Sequence, residues 1–265
     1  MTAPHTGTSM RHSEAIVDQF TRQAAQFAQS PTARSEDILE RMLRMARPQP
    51  MDEALDVACG PGVLVCALAK LVQGATGIDL TPAMLDQARR NQQEQGLSNV
   101  SWELGDVTAL AYQDQRFSIV TCRFAFHHFP EPLRVLREMR RVCRPGARIV
   151  VADSAPAAEK ADAFNAMERM RDPSHTRAVS ADEICALFAE AGLSEPKVDQ
   201  VRLGLDLDSF LARSYPGEGD EQRIRELFER ALGDDTLDVQ PQRERGRIFF
   251  SVPVAIVGAQ VGHAL

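Results

Sequence analysis

Apolar positions along this chain switch repeatedly between two periods, and the switches mark an alternation of strands and helices. Short apolar runs at 54–58, 75–79, 100–104, 117–122 and 147–152 have the length and composition of buried strands. Between them, 63–72, 82–96 and 130–142 carry apolar residues at three- and four-residue spacing, as amphipathic helices do. Thr81 before Pro82 predicts an N-cap and a first helical position, and Gly96 predicts the stop. Ahead of the first strand, Ile16, Val17, Phe20, Ala24 and Phe27 predict a helix from Ser13, which Ser30-Pro31 should break. Ile38, Leu39, Met42 and Leu43 predict a second helix from about Ser35. Residues 1–12 are polar, with Pro4 and Gly7, and are expected to form a disordered tail. After Asp153 the rhythm changes: helices are predicted at 157–171, 180–190, 207–213 and 221–232, and strands at 198–203 and 247–257.

Strands alternating with helices of ten to fifteen residues predict an α/β fold, a doubly wound, seven-stranded, mostly parallel sheet. Residues 13–50 would form an N-terminal helical lid. Residues 51–265 would form the core, with cap insertions near 156–178 and 205–235 where the alternation is lost.

Composition narrows the partners. With 44% hydrophobic and 25% charged residues, the 265-residue chain can bury a substantial core. A net charge of −7 argues against a nucleic-acid backbone as the main partner, which would favour a basic face. The five cysteines (Cys59, Cys66, Cys122, Cys143, Cys185) are odd in number, scattered and never spaced Cys-x-x-Cys, so neither a metal site nor a disulfide framework is expected. The first thirty residues carry Arg11, Glu14, Asp18 and Arg22, unlike a signal peptide, and the uncharged apolar runs are too short to span a bilayer. A cytoplasmic chain without a membrane partner is expected, and a homodimer is compatible with the sequence.

Three polar features fall at strand C-termini, where an open parallel sheet binds ligands. They are the Ala58/Gly60/Gly62 turn, Asp79 nineteen residues after Gly60, and Asp106 closing the third strand. An acid ending the second strand suits both hydroxyls of a ribose, and Asp106 can accept from an exocyclic amine such as that of adenine. Two cofactor readings are open. A dinucleotide fingerprint needs glycine at 58, 60 and 63, whereas this chain has Ala58, Gly60 and Val63, and Pro61 lacks an N–H for a pyrophosphate. An NAD(P)-dependent oxidoreductase is therefore the weaker reading.

The motifs LDVACGPG, GIDLTPAML, LGDVTAL, FSIVTCRFAFHHF and VCRPGARIVVAD occur in the order seen in class I S-adenosylmethionine-dependent methyltransferases. The chain most resembles the branch with the ubiquinone/menaquinone methyltransferases (methyltransferase type 11), over roughly 13–195. Its RMRDPSHTR segment resembles the YcgJ-like bacterial members. The resemblance implies a Rossmann-like fold and methyl transfer from S-adenosylmethionine to a small-molecule acceptor with an O-, C- or N-nucleophile. By position, Asp56 and the turn Ala58, Gly60 and Gly62 would meet the methionine part of the cofactor. Asp79 would hold the ribose, with Leu80 and Met84 near the adenine. Asp106 would take the adenine amine and Val107 its ring nitrogen. The main chain around Arg123 would face the ammonium group, and Phe20 and Phe27 of the lid would face the sulfonium. Cys59 stands where glycine is common in the family, and Ser118 replaces a frequent acid. A cofactor-binding subunit, or a member using the bound cofactor for non-methyl chemistry, fits the same motifs.

A general base is needed only for an acceptor that starts out protonated. The candidates are His127, His128 and His175, with His128 first because it follows the fourth strand. Adjacent histidines lack metal-ligand spacing. Arg123 could also clamp an acceptor carboxylate. Phe164, Met167, Met170, Phe210 and Phe228 in the cap segments suggest an apolar or aromatic acceptor, and core packing explains them equally well.

Overall fold

The computed structural model describes residues 6–262, with side chains from residue 12 onward. Three helices come first: α1 (Thr6–Ala28), α2 (Pro31–Arg34) and α3 (Glu36–Ala46). The alternating half follows as β1 (Glu53–Val57), α4 (Val63–Ala69), β2 (Gly74–Asp79), α5 (Pro82–Glu94), β3 (Val100–Leu104), β4 (Phe117–Arg123), α6 (Pro132–Arg141) and β5 (Cys143–Ser154). The last part holds α7 (Ala161–Arg171), α8 (Ala181–Glu190), β6 (Lys197–Asp206), α9 (Leu207–Ala212), α10 (Asp220–Asp234), β7 (Gln242–Glu244) and β8 (Arg247–Gln260).

The sheet runs β3-β2-β1-β4-β5-β8-β6, with β7 paired to β8 beside this path. Neighbours from β3 to β5 are parallel, and β8 lies antiparallel between β5 and β6. These are the seven strands expected, plus a short eighth. Strands buried on both faces explain the continuous apolar runs of β1, β4 and β5. One face packs under Met42 of α3 and Leu64 and Leu68 of α4; the other under Leu136 and Met139 of α6 and Ile184 and Phe188 of α8. Strand order reverses between β1 and β4, which opens a crevice at their C-terminal ends.

Several boundaries differ from the sequence reading. Helix α1 starts at Thr6, so Ser13 lies inside it and residues 6–12 are helical; residues 1–5 lie outside the described residues. Its first turns are polar and offer no apolar spacing to read. Ser30-Pro31 starts a helix as well as ending one: Ser30 Oγ caps the Ala33 N–H at 3.1 Å and Pro31 takes the first position of α2. Arg144-Pro145-Gly146, just ahead of the apolar run at 147–152, already lies within β5, where Gly146 is left-handed and the pairing with β4 shifts register. Thr81 precedes α5 as expected, but its side chain makes no cap; its N–H goes to Asp79 instead.

Gly62, at the N-cap of α4, has φ 72°, and a Cβ there would run into the Trp102 ring and meet the Ala88 Cβ at 2.9 Å. The Trp102 ring is fixed by its Nε1–H, which donates to Gln92 Oε1 at 2.7 Å. Gly62→Ala is expected to cost about 2–4 kcal/mol, from left-handed strain plus overpacking. The shift of the thermal unfolding midpoint measures it.

Candidate active site

Two cavities meet above the crevice. The first lies over the ends of β1 and β2 and, counted with the open space at its mouth, spans about 1060 Å³. The turn after β1 forms its floor, with Ala58 at φ 53° and Gly60 at φ 53°. A Cβ on Gly60 would find nothing nearer than the Phe27 ring at 3.9 Å, so the backbone there faces open space. Gly62 does not line this cavity; its smallness serves the Trp102 packing, which corrects its expected place in the ligand cradle.

Asp79, at the end of β2, is 8% exposed and binds the glycine turn to its own strand. Its Oδ2 accepts the Gly60 N–H at 2.8 Å and its Oδ1 accepts the Thr81 N–H at 2.8 Å. Burial raises its pKa, against the lowering effect of those two N–H groups. Leu80 and Met84 follow on one wall, and Asp106 and Val107 stand on another.

Asp56 on β1 is 2% exposed, and its Oδ1 accepts the Thr121 hydroxyl at 2.6 Å. Burial pushes its pKa up to about 7, with Thr121 and Arg123 holding it down. The Arg123 guanidinium reaches across the cavity to α2, where Nη2 donates to the Ala33 carbonyl at 2.6 Å. Its buried Nη1 has no partner among the described residues. Burial lowers the Arg123 pKa to about 10, with Asp56 opposing. Its side chain lines only this first cavity, so it cannot clamp a carboxylate held in the second.

The second cavity, about 780 Å³, lies between the cavity just described and α7 and α9. Phe20, Phe27, Phe124 and His128 line both. Phe124 is left-handed at φ 53°, a strained state for an aromatic residue and one that periodicity cannot reveal. Of the cap side chains, Phe164 and Phe210 line this cavity, while Met167 and Phe228 are packed in the core.

The three histidines separate by environment. His127 Nδ1 lies 2.5 Å from Asp153 Oδ1, at the end of β5, and His127 lines the second cavity. Burial would lower its pKa, but the charge and hydrogen bond of Asp153 outweigh it, and the net shift is upward. Asp153 moves the other way: burial raises it, and His127 with the Ser154 N–H brings it below its ordinary value. His128 donates from Nδ1 to the Ser174 carbonyl at 3.0 Å and stands edge-on to Phe20, with ring centroids 5.0 Å apart. Burial and the neighbouring His127 charge lower its pKa to about 4. His175 lines neither cavity; its Nε2 meets Asn165 Oδ1 at 2.6 Å, tying α7 to the loop after it, and burial drives its pKa far down. It is a structural tie, which corrects its place among the candidate bases.

Asp153 and Phe124 were missed in the sequence. The signal for Asp153 was its position: Arg123 pairs with Ala152, so the acid, last but one in β5, sits just where the chain leaves β4 toward His127. His12, assigned to the tail, lies in α1, and its Nε2 donates to the His128 carbonyl at 2.8 Å. Among the described residues no group of His, Cys, Asp and Glu could hold a metal ion. No described helix is long and apolar enough to cross a membrane.

Comparison with known proteins agrees with this fold. Residues 49–231 match the model of a methyltransferase domain family. An uncharacterized methyltransferase, YcgJ of Bacillus subtilis, is 31% identical over 211 residues, 78% of this chain and 83% of that one. The crystal structure of the Bacillus subtilis YcgJ protein superposes with a TM-score of 0.78 at 27% identity, covering 85% of this chain and 98% of that one. A ubiquinone biosynthesis O-methyltransferase of Coxiella burnetii is 35% identical over 95 residues, 36% of this chain and 40% of that relative. The dinucleotide reading is not favoured. The chain belongs to the methyltransferase domain family and is an S-adenosylmethionine-dependent methyltransferase with the Rossmann-like class I fold.

Proposed function

We propose that the first cavity binds S-adenosylmethionine, that the second holds a small acceptor with a protonated hydroxyl, and that His127 is the base between them. The observation that carries this reading is the His127–Asp153 pair, 2.5 Å apart, with the His127 side on the wall of the second cavity. The residues of the first cavity suit the cofactor. Gly60 leaves room for close backbone approach, Asp79 stands where a ribose can share its carboxylate, and the unpartnered Arg123 Nη1 offers a donor to the methionine carboxylate. Asp56 is placed to accept from the ammonium group, and Asp106 and Val107 to read the adenine edge.

Bound there, S-adenosylmethionine supplies a methyl carbon already activated by a positively charged sulfur. His127 would accept the hydroxyl proton at Nε2, leaving the acceptor oxygen free to take the methyl group while sulfur would keep the electron pair. Asp153 fixes the tautomer by taking the Nδ1 proton in a hydrogen bond and stabilises the charged ring that forms. His128 stays neutral at ordinary pH and packs against Phe20 at the junction, so it shapes the passage and takes no proton. Phe20 and Phe27 exclude water and offer ring faces to the sulfonium.

Calorimetry tests the cofactor assignment. S-adenosylmethionine and S-adenosylhomocysteine are expected to bind, and NAD(H) is not. Tight NAD(H) binding with no response to the methyl donor would sink this reading.

A further inference from the structure

The second cavity is walled by phenyl and aliphatic groups, among them Phe164, Phe210, Leu203 and Val252, yet its polar groups are unevenly satisfied. The acids are already engaged. Glu168 receives the Arg171 guanidinium through Nε and Nη2 at 2.8 and 2.6 Å. Asp172, 2% exposed, accepts the Ser174 N–H at 2.9 Å and the Ser174 hydroxyl at 2.6 Å. Two donors have no partner among the described residues. Gln23 on α1 is 3% exposed, and its buried Nε2 makes no hydrogen bond. Arg213, just past α9, makes no hydrogen bond or ion pair. The acid nearest to it in charge, Asp206, meets Arg247 through Oδ1 at 2.6 Å, and its buried Oδ2 makes no hydrogen bond to Arg213. Burial and Arg171 lower the Arg213 pKa, with Asp206 opposing, as expected for a half-buried cation near a second cation.

A cavity whose carboxylates are paired while an amide N–H and a guanidinium are free is complementary to oxygen acceptors, one of them charged. Resting on the methyl-transfer reading above, we infer that the acceptor is an apolar or aromatic organic acid, its carboxylate held by Arg213 and a second oxygen by Gln23, with its hydroxyl at the His127 end. Arg213 is then a specificity residue. A planar guanidinium forms two parallel hydrogen bonds to a carboxylate, which a neutral ester cannot match in strength. The free Gln23 N–H lies on the helix that also brings Phe20 and Phe27 to this cavity, so the acceptor would complete the α1 wall.

The test uses the full chain saturated with S-adenosylhomocysteine, and three probes titrated by calorimetry: 6-hydroxy-2-naphthoate, its methyl ester, and 2-naphthylmethylammonium. The acid is expected to bind about tenfold to a hundredfold more tightly than the ester, the range for a charge-assisted hydrogen-bond pair. Arg213→Gln should remove that difference and Arg213→Lys restore part of it. Gln23→Leu should weaken the acid by about threefold to tenfold, as loss of a neutral donor does. Retained S-adenosylhomocysteine affinity and an unchanged melting midpoint certify each variant as folded. Equal affinity for acid and ester, full acid affinity in folded Arg213→Gln, or preference for the ammonium probe overturns the assignment. So does binding of none of the probes by protein that binds S-adenosylhomocysteine, and that outcome leaves the methyl-transfer reading intact. Failure to bind S-adenosylhomocysteine at all overturns both.

Discussion

His127→Gln is expected to lower kcat for a hydroxyl acceptor by about 10²–10⁴-fold, the usual contribution of a positioned base, with S-adenosylhomocysteine affinity unchanged. The pH profile separates this role from a structural one. Its base form is the neutral ring, so the rate should rise with pH through the His127 pKa, and that limb should lie above the ordinary value of 6.5. The groups setting its position are Asp153 at the end of β5, Glu168 and Arg171 on α7, and the neighbouring rings of His128 and His175. Asp153 and Glu168 favour the charged ring, and Arg171 opposes it. Asp153→Asn should move the limb to lower pH, because the main charge favouring protonation is gone, and should lower kcat through loss of the tautomer. His127→Gln should abolish the limb. A limb that survives in His127→Gln assigns the base elsewhere.

Asp79→Ala should produce the second large effect, on cofactor affinity. Loss of a carboxylate shared by two ribose hydroxyls is expected to weaken S-adenosylhomocysteine binding by about 1.5–3 kcal/mol, roughly tenfold to a hundredfold. The same change strands the N–H groups of Gly60 and Thr81, which Asp79 now accepts, so the melting midpoint should fall as well. Asp79→Asn keeps an acceptor oxygen for one of them and should recover stability more than affinity. Unchanged affinity in a folded Asp79→Ala protein refutes the ribose assignment.

Comparing residues with their surroundings shows which parts of the site sequence can carry. The strand-turn-helix around Gly60 was legible because backbone demands there restrict residue type strongly, and Asp79 because an acid ending a buried strand has few other uses. Asp153 is the same kind of residue, yet its importance lies in what it faces. That depends on β5 lying beside β4, a pairing set by the whole sheet. His175 misled for the complementary reason. Its partner, Asn165, sits on α7 across a helix end, and nothing in the local pattern of 172–178 announces that bond. Gly62 shows the limit of motif position: it occupies the expected slot, but the demand for glycine comes from Trp102 on the far strand β3. The start of α1 was hidden because polar helical turns carry no period.

Helix α1 supplies Phe20 and Phe27 to both cavities, and its His12 is hydrogen-bonded to the backbone of His128 at their junction. Its C-terminal end is tied down by Arg34, whose Nε donates to the Ala28 carbonyl at 2.8 Å, and the following turn by Arg123. A wall common to two chambers cannot be withdrawn from one alone. Any displacement of α1 therefore changes the walls of both chambers together.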